Sequence, residues 1–471
     1  MQTPVTILIL AAGLGTRMKS RRAKVLHRVG GRTLIEHVVE TALAAAPAAD
    51  VFVVVGRQAE QVQAAVADCG VGFIHQAEQG GTGHAVMVCR ERLAARPGLL
   101  VVLYGDCPLL EPATVRELIE REAGSPAAAT VITTTLEDPT GYGRVLRDES
   151  GGVRAIVEQQ AGTPAELAVR EINSGIYCFR AELLWAHLEQ VQPDNPAREY
   201  YLTDIVEILG RAGHGVQPYH LSDPSEVLGI NTRLELAQVD RLFRERKVRE
   251  LMLEGVTVEK PETVLVDARA TIGMDTVIEP FAQILGRTRI GEDCRIGAGA
   301  IIRDSELADG VEIGPYTIIQ ASRIERGARV GPYARLRLGA HVAEGAQVGN
   351  FVELKKTRLG PGSKSMHLAY LGDAEIGAGV NIGAGTITCN YDGQSKHPTR
   401  IGDRVFVGSN ATLVAPLDIG EGSYIAAGST ITDPVPPDAL ALGRARQVNK
   451  ADWAKKRRAK APTSAKCAKE T

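Results

Sequence analysis

Aromatic side chains are scarce in this sequence, at 4% of its residues. A core built around large rings is therefore unavailable to most of the chain, whereas a thin interior of Ile, Val, Leu and Ala is not. Cysteines are few and unpaired in pattern: seven (69, 89, 107, 178, 294, 389 and 467) are scattered with no CxxC. That argues against a disulfide frame or zinc knuckle and for free thiols in a reducing compartment. Charge of either sign is not in excess, since 54 Lys and Arg face 56 Asp and Glu for a net −2. Nothing in this balance points to wholesale nucleic-acid or membrane binding. No apolar run approaches the ~20 residues of a membrane span. The apolar start at 5–12 has no basic region before it and runs into a glycine loop, so no signal peptide is expected. These absences predict a soluble, cytoplasmic protein. At 471 residues and 44% hydrophobic content, it has material for two domains or more.

Glycine is abundant, at 50 residues, and an aliphatic residue recurs at every sixth position over much of the second half. Val266, Ile272, Ile278, Ile284, Ile290, Ile296 and Ile302 form one series, and Leu307, Ile313 and Ile319 resume it after a one-residue slip. Ile324, Val330, Leu336, Val342, Val348 and Leu354 follow, and Ile401, Val407, Leu413, Ile419, Ile425 and Ile431 close it. A helix repeats at 3.6 residues and an ordinary strand at 2, so neither accounts for six. A parallel β-helix does, with three flat faces per coil and one inward aliphatic per face. The small residues that follow these positions suit corners, where bulk would collide with the next coil.

Residues 1–230 read differently. Apolar runs Val5–Leu10, Val51–Val55 and Leu99–Tyr104 alternate with helical stretches at 34–46 and 59–67. Alternation of this kind predicts βαβ units and a mostly parallel sheet. Residues 231–255 carry an amphipathic helix at 234–253, read as a connector. The repeat occupies 256–443. A tail at 444–471 is basic (Lys450, Lys455, Lys456, Arg457, Arg458, Lys460, Lys466 and Lys469) and reads either as solvated chain or as a contact for an anionic partner.

The first strand leads into Ala11-Ala-Gly-Leu-Gly-Thr-Arg-Met18. A strand-to-glycine-loop junction exposes N–H groups that can cradle phosphates, and Gly13 and Gly15 would permit close approach. The loop is neither a Walker A nor a complete GxGxxG. Arg17 and Lys24 add positive charge for a triphosphate. The strand Leu99–Tyr104 ends in Gly105-Asp106, where a carboxylate beyond a strand's end can hold Mg²⁺ or simply form a turn.

These motifs, with Lys24, Gln76-Ala-Glu-Gln-Gly-Gly-Thr-Gly-His-Ala85 and Leu103-Tyr-Gly-Asp106, resemble the sugar-1-phosphate nucleotidyltransferases and their uridylyltransferase branch. Asp138-Pro-Thr-Gly-Tyr-Gly-Arg144, Ile156-Val-Glu158, Glu171-Ile-Asn-Ser-Gly175, Glu199-Tyr-Tyr-Leu-Thr-Asp204 and Gly229-Ile-Asn-Thr-Arg233 extend the match. Their order resembles the bifunctional N-acetylglucosamine-1-phosphate uridylyltransferase/glucosamine-1-phosphate N-acetyltransferase family of bacteria, over about residues 5–445. The resemblance implies a Rossmann-like α/β nucleotidyltransferase domain followed by a left-handed parallel β-helix, assembled as a homotrimer. It implies that Leu10, Ala11, Ala12, Gly13, Gln76, Gly81 and Thr82 line the uracil and ribose side, and that Arg17 and Lys24 hold phosphates. Tyr104, Gly105, Gly143, Glu158 and Asn173 would face the amino sugar, and Asp106 and Asn231 would be the Mg²⁺ ligands. The reaction implied is in-line attack of N-acetylglucosamine 1-phosphate on the α-phosphorus of UTP, with pyrophosphate leaving.

Within the repeat, the aliphatic period is interrupted after Leu359 and after Ile382. Insertions in solenoids leave the coil as loops on one face, often the binding face. Lys355, His367 and Tyr370 are expected at the first such loop, and Asn390 and Tyr391 in the second. Imidazole, with an ordinary pKa of about 6.5, is largely neutral near pH 7, and His367 is therefore the candidate general base. The resemblance implies that Arg337 and Lys355 clamp the phosphate of glucosamine 1-phosphate and that Tyr370 and Asn381 support its sugar. Asn390 and Tyr391 would orient base or substrate, and Ala384, Ser409, Ala427 and Arg444 would border acetyl-CoA. Leu338 and Met366 depart from the family pattern, which commonly has Pro and a small residue there. Competing with the two-activity enzyme are a monofunctional nucleotidyltransferase with an oligomerising or regulatory β-helix, and a non-catalytic scaffold able to dispense with Arg17, Lys24 and Asp106.

Overall fold

The computed structural model describes residues 3–460. Lys466, Cys467 and Lys469 of the basic tail lie outside the described residues. Two compact units emerge: 1–271 with 283–287, and 272–282 with 288 onward.

In the first unit the sheet runs Val216–His220, Ala129–Thr135, Glu171–Arg180, Leu99–Tyr104, Val5–Leu10, Val51–Val55, Gly72–His75. Neighbours pair in parallel except along Glu171–Arg180, which is antiparallel to both of its neighbours. Strands covered on both faces read as unbroken apolar runs. Leu8, Leu10, Leu100 and Val102 enter one core cluster, while Ile7, Ile9, Val101 and Leu103 enter the other. The helices at Leu34–Leu43 and Ala59–Ala65 stop short of the boundaries read from their alanines. At the first helix the Thr33 hydroxyl and Glu36 carboxylate form a reciprocal capping box.

The segment read as a connector forms the helix Arg233–Leu253. Its Val239 and Phe243 pack with Met18, Val29, Leu34 and Ile230. A Cβ on Gly30 would come within 2.3 Å of the Phe243 ring, so that glycine (φ +53°) is required by the close approach.

Glu122 is fully buried beneath this sheet, accepting from Thr130 Oγ1 at 2.7 Å and lying 3.7 Å from Arg180. Burial, only partly opposed by Thr130 and Arg180, raises its pKa from 4.5 to about 7. Between those two values the folded state keeps a proton that the unfolded chain releases, so stability falls as pH rises through that window and levels off above it. Glu122→Gln should abolish this slope, worth about 3 kcal/mol at most. Calorimetric unfolding midpoints at pH 5 and pH 8 check it; an unchanged pH dependence in the variant would refute the assignment.

In the second unit the hexad is realised as a triangular prism. Its aliphatics, including Ile296, Ile302, Ile319, Leu336, Val342, Leu354, Val407 and Leu413, are buried. Each strand pairs in parallel with the strand one coil on, as Ile278 with Ile296, Ile319 with Leu336 and Leu354 with Leu371. A coil without an insertion therefore spans 17 or 18 residues, and the coil that carries residues 390–398 spans 25.

The first interruption is not a loop. Leu359 is followed by inward Ser365, Leu371, Ile376 and Ile382, all buried, on strands Arg358–Leu359, Lys364–His367, Tyr370–Gly372, Ala374–Ile376 and Asn381–Ile382. Ser365 merely replaces the aliphatic, so the coil is continuous and His367 stands at a strand's end, with Tyr370 at the start of the next. At the second interruption the inward position passes to buried Thr388, and a true excursion at 390–398 follows before Ile401. It closes through a Tyr391–Lys396 bridge and a turn in which Asp392 accepts from the N–H groups of Gln394 and Ser395. Leu338 adopts φ +55°, which no proline ring allows, and Met366 projects outward at 37% exposure.

Candidate active sites

The glycine loop after the first strand opens a cavity of about 460 Å³. Leu10, Ala11, Ala12, Gly13, Arg17, Lys24, Gln76, Gly81, Thr82, Tyr104, Asp106 and Asn231 line it, together with Glu199, which the sequence reading had not assigned. At Gly15 (φ +59°) a Cβ would lie 2.7 Å from Lys24 Cβ, so this glycine lets the loop fold onto the lysine. A Cβ at Gly13 would meet no protein atom, so the protein itself does not demand glycine there; only a ligand in the cavity would.

Asp106 and Asn231 are far apart in sequence and adjacent in space. Ile230 N–H donates to the Asp106 carbonyl at 3.1 Å. Next in sequence, Asn231 N–H donates to the Glu235 carboxylate that also closes the Thr232 capping box of the long helix. Helix capping thus positions Asn231 beside the strand end that carries Asp106. Between them sits the Lys24 ammonium, donating to Asp106 Oδ2 and, at 3.1 Å, to Asn231 Oδ1. Two hard oxygens converging on one cation suit Mg²⁺, which takes few protein ligands and completes its shell with water and phosphate. Among the described residues no group of three or more His, Cys, Asp or Glu could cage a metal without that help.

Gly105, Gly143, Glu158 and Asn173 stand behind the lining. Asn173 N–H donates to the Gly143 carbonyl at 2.9 Å, and Thr203 donates to Glu158 at 3.3 Å. Burial raises the Glu158 carboxyl despite the Thr203 hydrogen bond, with the Asp204 charge adding to the shift. Burial likewise raises the Tyr104 phenol against its hydrogen bond with Thr82. Gly175, at φ +80°, leaves room for the Tyr104 ring, which its Cβ would approach to 2.7 Å.

On the prism, polar residues gather on one face. Arg337 pairs in register with Lys355, and Lys355 with Gly372. Arg337 bonds Glu353 at 2.6 Å. Lys355, 2% exposed, donates to Asp373 at 2.6 Å, and the Asn390 amide donates to the same carboxylate. Burial would lower the Lys355 ammonium, but the Asp373 carboxylate holds it above its ordinary value. Asp373, against the cost of burial, is held below the usual carboxylate range by Lys355 and Asn390. Gly372 makes the cluster possible: a Cβ there would lie 2.5 Å from the Tyr370 hydroxyl and 2.8 Å from the Asn390 amide nitrogen. Tyr391 is exposed, its hydroxyl donating to the Gly393 carbonyl.

His367 lies at the prism edge beside this face. Its Nδ1 is 3.0 Å from Asn350 Oδ1, an atom that can only accept. In the neutral ring this contact favours the tautomer with the proton on Nδ1 and the lone pair on Nε2. Along the same edge run Ala384, Ser409 and Ala427, since Gly385 N–H donates to the Leu368 carbonyl, Asn410 to Ala384 and Gly428 to Ser409, at 2.7–2.8 Å. Asn381 is not brought to the cluster; it faces outward on the strand that pairs with Lys364–His367. Arg444 is exposed just beyond the last rung, outside any cluster described above. Asn350, Glu353 and Asp373 were missed in the sequence, although each lies 16–18 residues from the residue it holds, one coil away.

A family model described as a MobA-like NTP transferase domain matches residues 7–201, and a bacterial transferase hexapeptide model (six repeats) matches 269–304 and 398–433. The hexapeptide match and the three stacked parallel sheets are consistent with a left-handed parallel β-helix. The Bifunctional protein GlmU of Solibacter usitatus (strain Ellin6076) is 62% identical over 463 residues, covering 98% of this chain and 99% of that protein. Its counterpart in Koribacter versatilis (strain Ellin345) is 50% identical over 456 residues, covering 96% and 97%. That of Shouchella clausii (strain KSM-K16) is 45% identical over 449 residues, covering 95% and 98%. With both units matched and the likeness running nearly end to end, the chain belongs to the bifunctional GlmU family.

Proposed function

We propose that this chain makes UDP-N-acetylglucosamine in two steps, one in each unit. The prism transfers acetyl from acetyl-CoA to glucosamine 1-phosphate. The α/β unit then transfers uridylyl from UTP to N-acetylglucosamine 1-phosphate. The observation that carries this reading is the presence, in one chain, of two unrelated donor sets: a cation-holding pair of oxygens beside a glycine loop, and an oriented imidazole beside a buried lysine network.

In the α/β unit Leu10 to Gly13, Gln76, Gly81 and Thr82 take the uracil and ribose. Tyr104, Gly105, Gly143, Glu158 and Asn173 shape the sugar side. A phosphate oxygen attacks the α-phosphorus in line and pyrophosphate leaves. Both reactants are anions, and Arg17 and Lys24 offset their repulsion, so no base is needed. Mg²⁺ held by Asp106 and Asn231 would supply further charge neutralisation on the phosphates.

In the prism, the amine nitrogen attacks the thioester carbonyl, a C–N bond forms, the C–S bond breaks, and His367 Nε2 takes the proton. Arg337 and Lys355 hold the sugar phosphate, Tyr370 and Asn381 the sugar, and Asn390 and Tyr391 orient the substrate. The small side chains of Ala384, Ser409 and Ala427 leave the edge open for an extended acetyl-CoA, with Arg444 available to its phosphates. A prism that served only to oligomerise would have no use for the buried Lys355–Asp373–Asn390 network.

The chain acts as a homotrimer on this reading. Tyr316, Tyr333 and Phe351 stack at 5.4 and 5.6 Å along one edge while more than half exposed on average, and an exposed apolar ridge suits a subunit contact. Asn381 and Lys355 lie on different faces, which fits a site completed by a second copy. No helix among the described residues is long and apolar enough to cross a membrane, and Cys69, Cys89, Cys107, Cys178, Cys294 and Cys389 are free, in keeping with a cytoplasmic location. The test supplies glucosamine 1-phosphate, acetyl-CoA, UTP and Mg²⁺ and follows thiol and pyrophosphate separately, with sedimentation for the assembly. No thiol from this mixture, with pyrophosphate still released once N-acetylglucosamine 1-phosphate is added directly, would remove the acetyl-transfer half.

A further inference from the structure

A second cavity, of about 390 Å³, adjoins the nucleotide cleft at the glycine loop. Ala11 to Leu14 and Thr16 wall both cavities. The second one is lined by Arg21, Arg22 and Arg57 and by no Asp or Glu, whereas the nucleotide cleft carries Asp106 and Glu199. The arginines come from two segments, and these are tied together: Gln58 Nε2 donates to the Arg21 carbonyl at 2.7 Å. None of the three guanidiniums has a carboxylate within ion-pair distance among the described residues, whereas Arg32, Arg90 and Arg96 on the same unit do.

We propose that this cavity is a second anion subsite that receives pyrophosphate after uridylyl transfer. Pyrophosphate carries two to three negative charges near neutral pH, and guanidinium forks match phosphate oxygens in bidentate pairs. Gly13, whose Cβ would meet no protein atom, lies in the wall that the two cavities share, so a pyrophosphate leaving one has the other beside it. The cleft is thereby cleared of a polyanion that would otherwise remain beside Arg17 and Lys24 and oppose the next UTP. This inference rests on the nucleotidyltransferase reading of the first unit.

The test uses the full chain saturated with UTP in the presence of a chelator and without sugar phosphate, so that no turnover occurs. Calorimetric titration with pyrophosphate should show one equivalent bound per chain while UTP stays in place. The triple variant Arg21→Ala/Arg22→Ala/Arg57→Ala should bind it at least tenfold more weakly, with circular dichroism and UTP affinity preserved. Replacing all three by Lys should give an affinity between those of the Ala variant and wild type, because the positive charge returns without the bidentate fork. Pyrophosphate that binds only by displacing UTP, or equally well to the Ala variant, overturns the proposal. A wild-type chain that released no pyrophosphate from UTP and N-acetylglucosamine 1-phosphate would instead sink the functional reading, whatever the titration showed.

Discussion

Replacing Asp106 by Asn is expected to cut UTP-dependent pyrophosphate release by about 10³-fold while leaving thiol release from acetyl-CoA within twofold of wild type. The amide keeps the shape and one oxygen but loses the charge. Asp106 is 7% exposed and its Oδ2 is the partner of the Lys24 ammonium. Losing that charge removes the only anion in the pair that holds a cation with Asn231. Lys24 could still donate to the oxygen of the new amide, so the fold should survive, and an unchanged unfolding midpoint would show that it has. Parallel assays of pyrophosphate and thiol decide the matter. Equal loss of both activities in a folded variant would mean that the two sites are not independent, and the two-step reading would need revision.

His367→Ala should have the opposite profile, slowing thiol release by on the order of 10²-fold or more while leaving pyrophosphate release from UTP and supplied N-acetylglucosamine 1-phosphate intact. His367 is exposed, so its removal leaves no cavity in the core. What disappears is a lone pair that Asn350 has aimed, because the Nδ1 hydrogen bond leaves Nε2 as the basic atom. Asn350→Ala supplies the control, since it frees the ring to rotate and change tautomer while keeping the imidazole. It should lose part of the rate, between wild type and His367→Ala. Near-normal turnover of His367→Ala at saturating glucosamine 1-phosphate would remove the imidazole as base.

The prism was legible in the sequence because its interior accepts one aliphatic per face, and a steric demand repeated at every rung leaves a period that composition cannot blur. Where the interior tolerates a hydroxyl, the signal fails: Ser365 and Thr388 are as buried as the isoleucines around them. That is why the stretch after Leu359 read as a loop when it is unbroken coil, and only 390–398 leaves the prism. The hydrogen-bond partners were missed for a related reason. Asn350 and His367 are 17 residues apart, and Lys355 and Asp373 are 18 apart, so each pair makes neighbours through coil stacking rather than chain adjacency.

In the first unit the glycine loop and the Asp106 strand end were visible as local patterns. Their convergence with Asn231 was not, because it depends on the Ile230 hydrogen bond and the Thr232 cap more than a hundred residues further on. By itself, then, the sequence determined which segments bury their side chains, the two architectures and the residues able to do chemistry, since these follow from local periodicity and side-chain type. Tertiary structure alone decided that a lysine holds the cation position between Asp106 and Asn231, that Asn350 meets Nδ1 of His367, and that three arginines share a cavity at the glycine loop. Such facts depend on atoms brought within about 3 Å of each other, and no pattern along the chain encodes that distance.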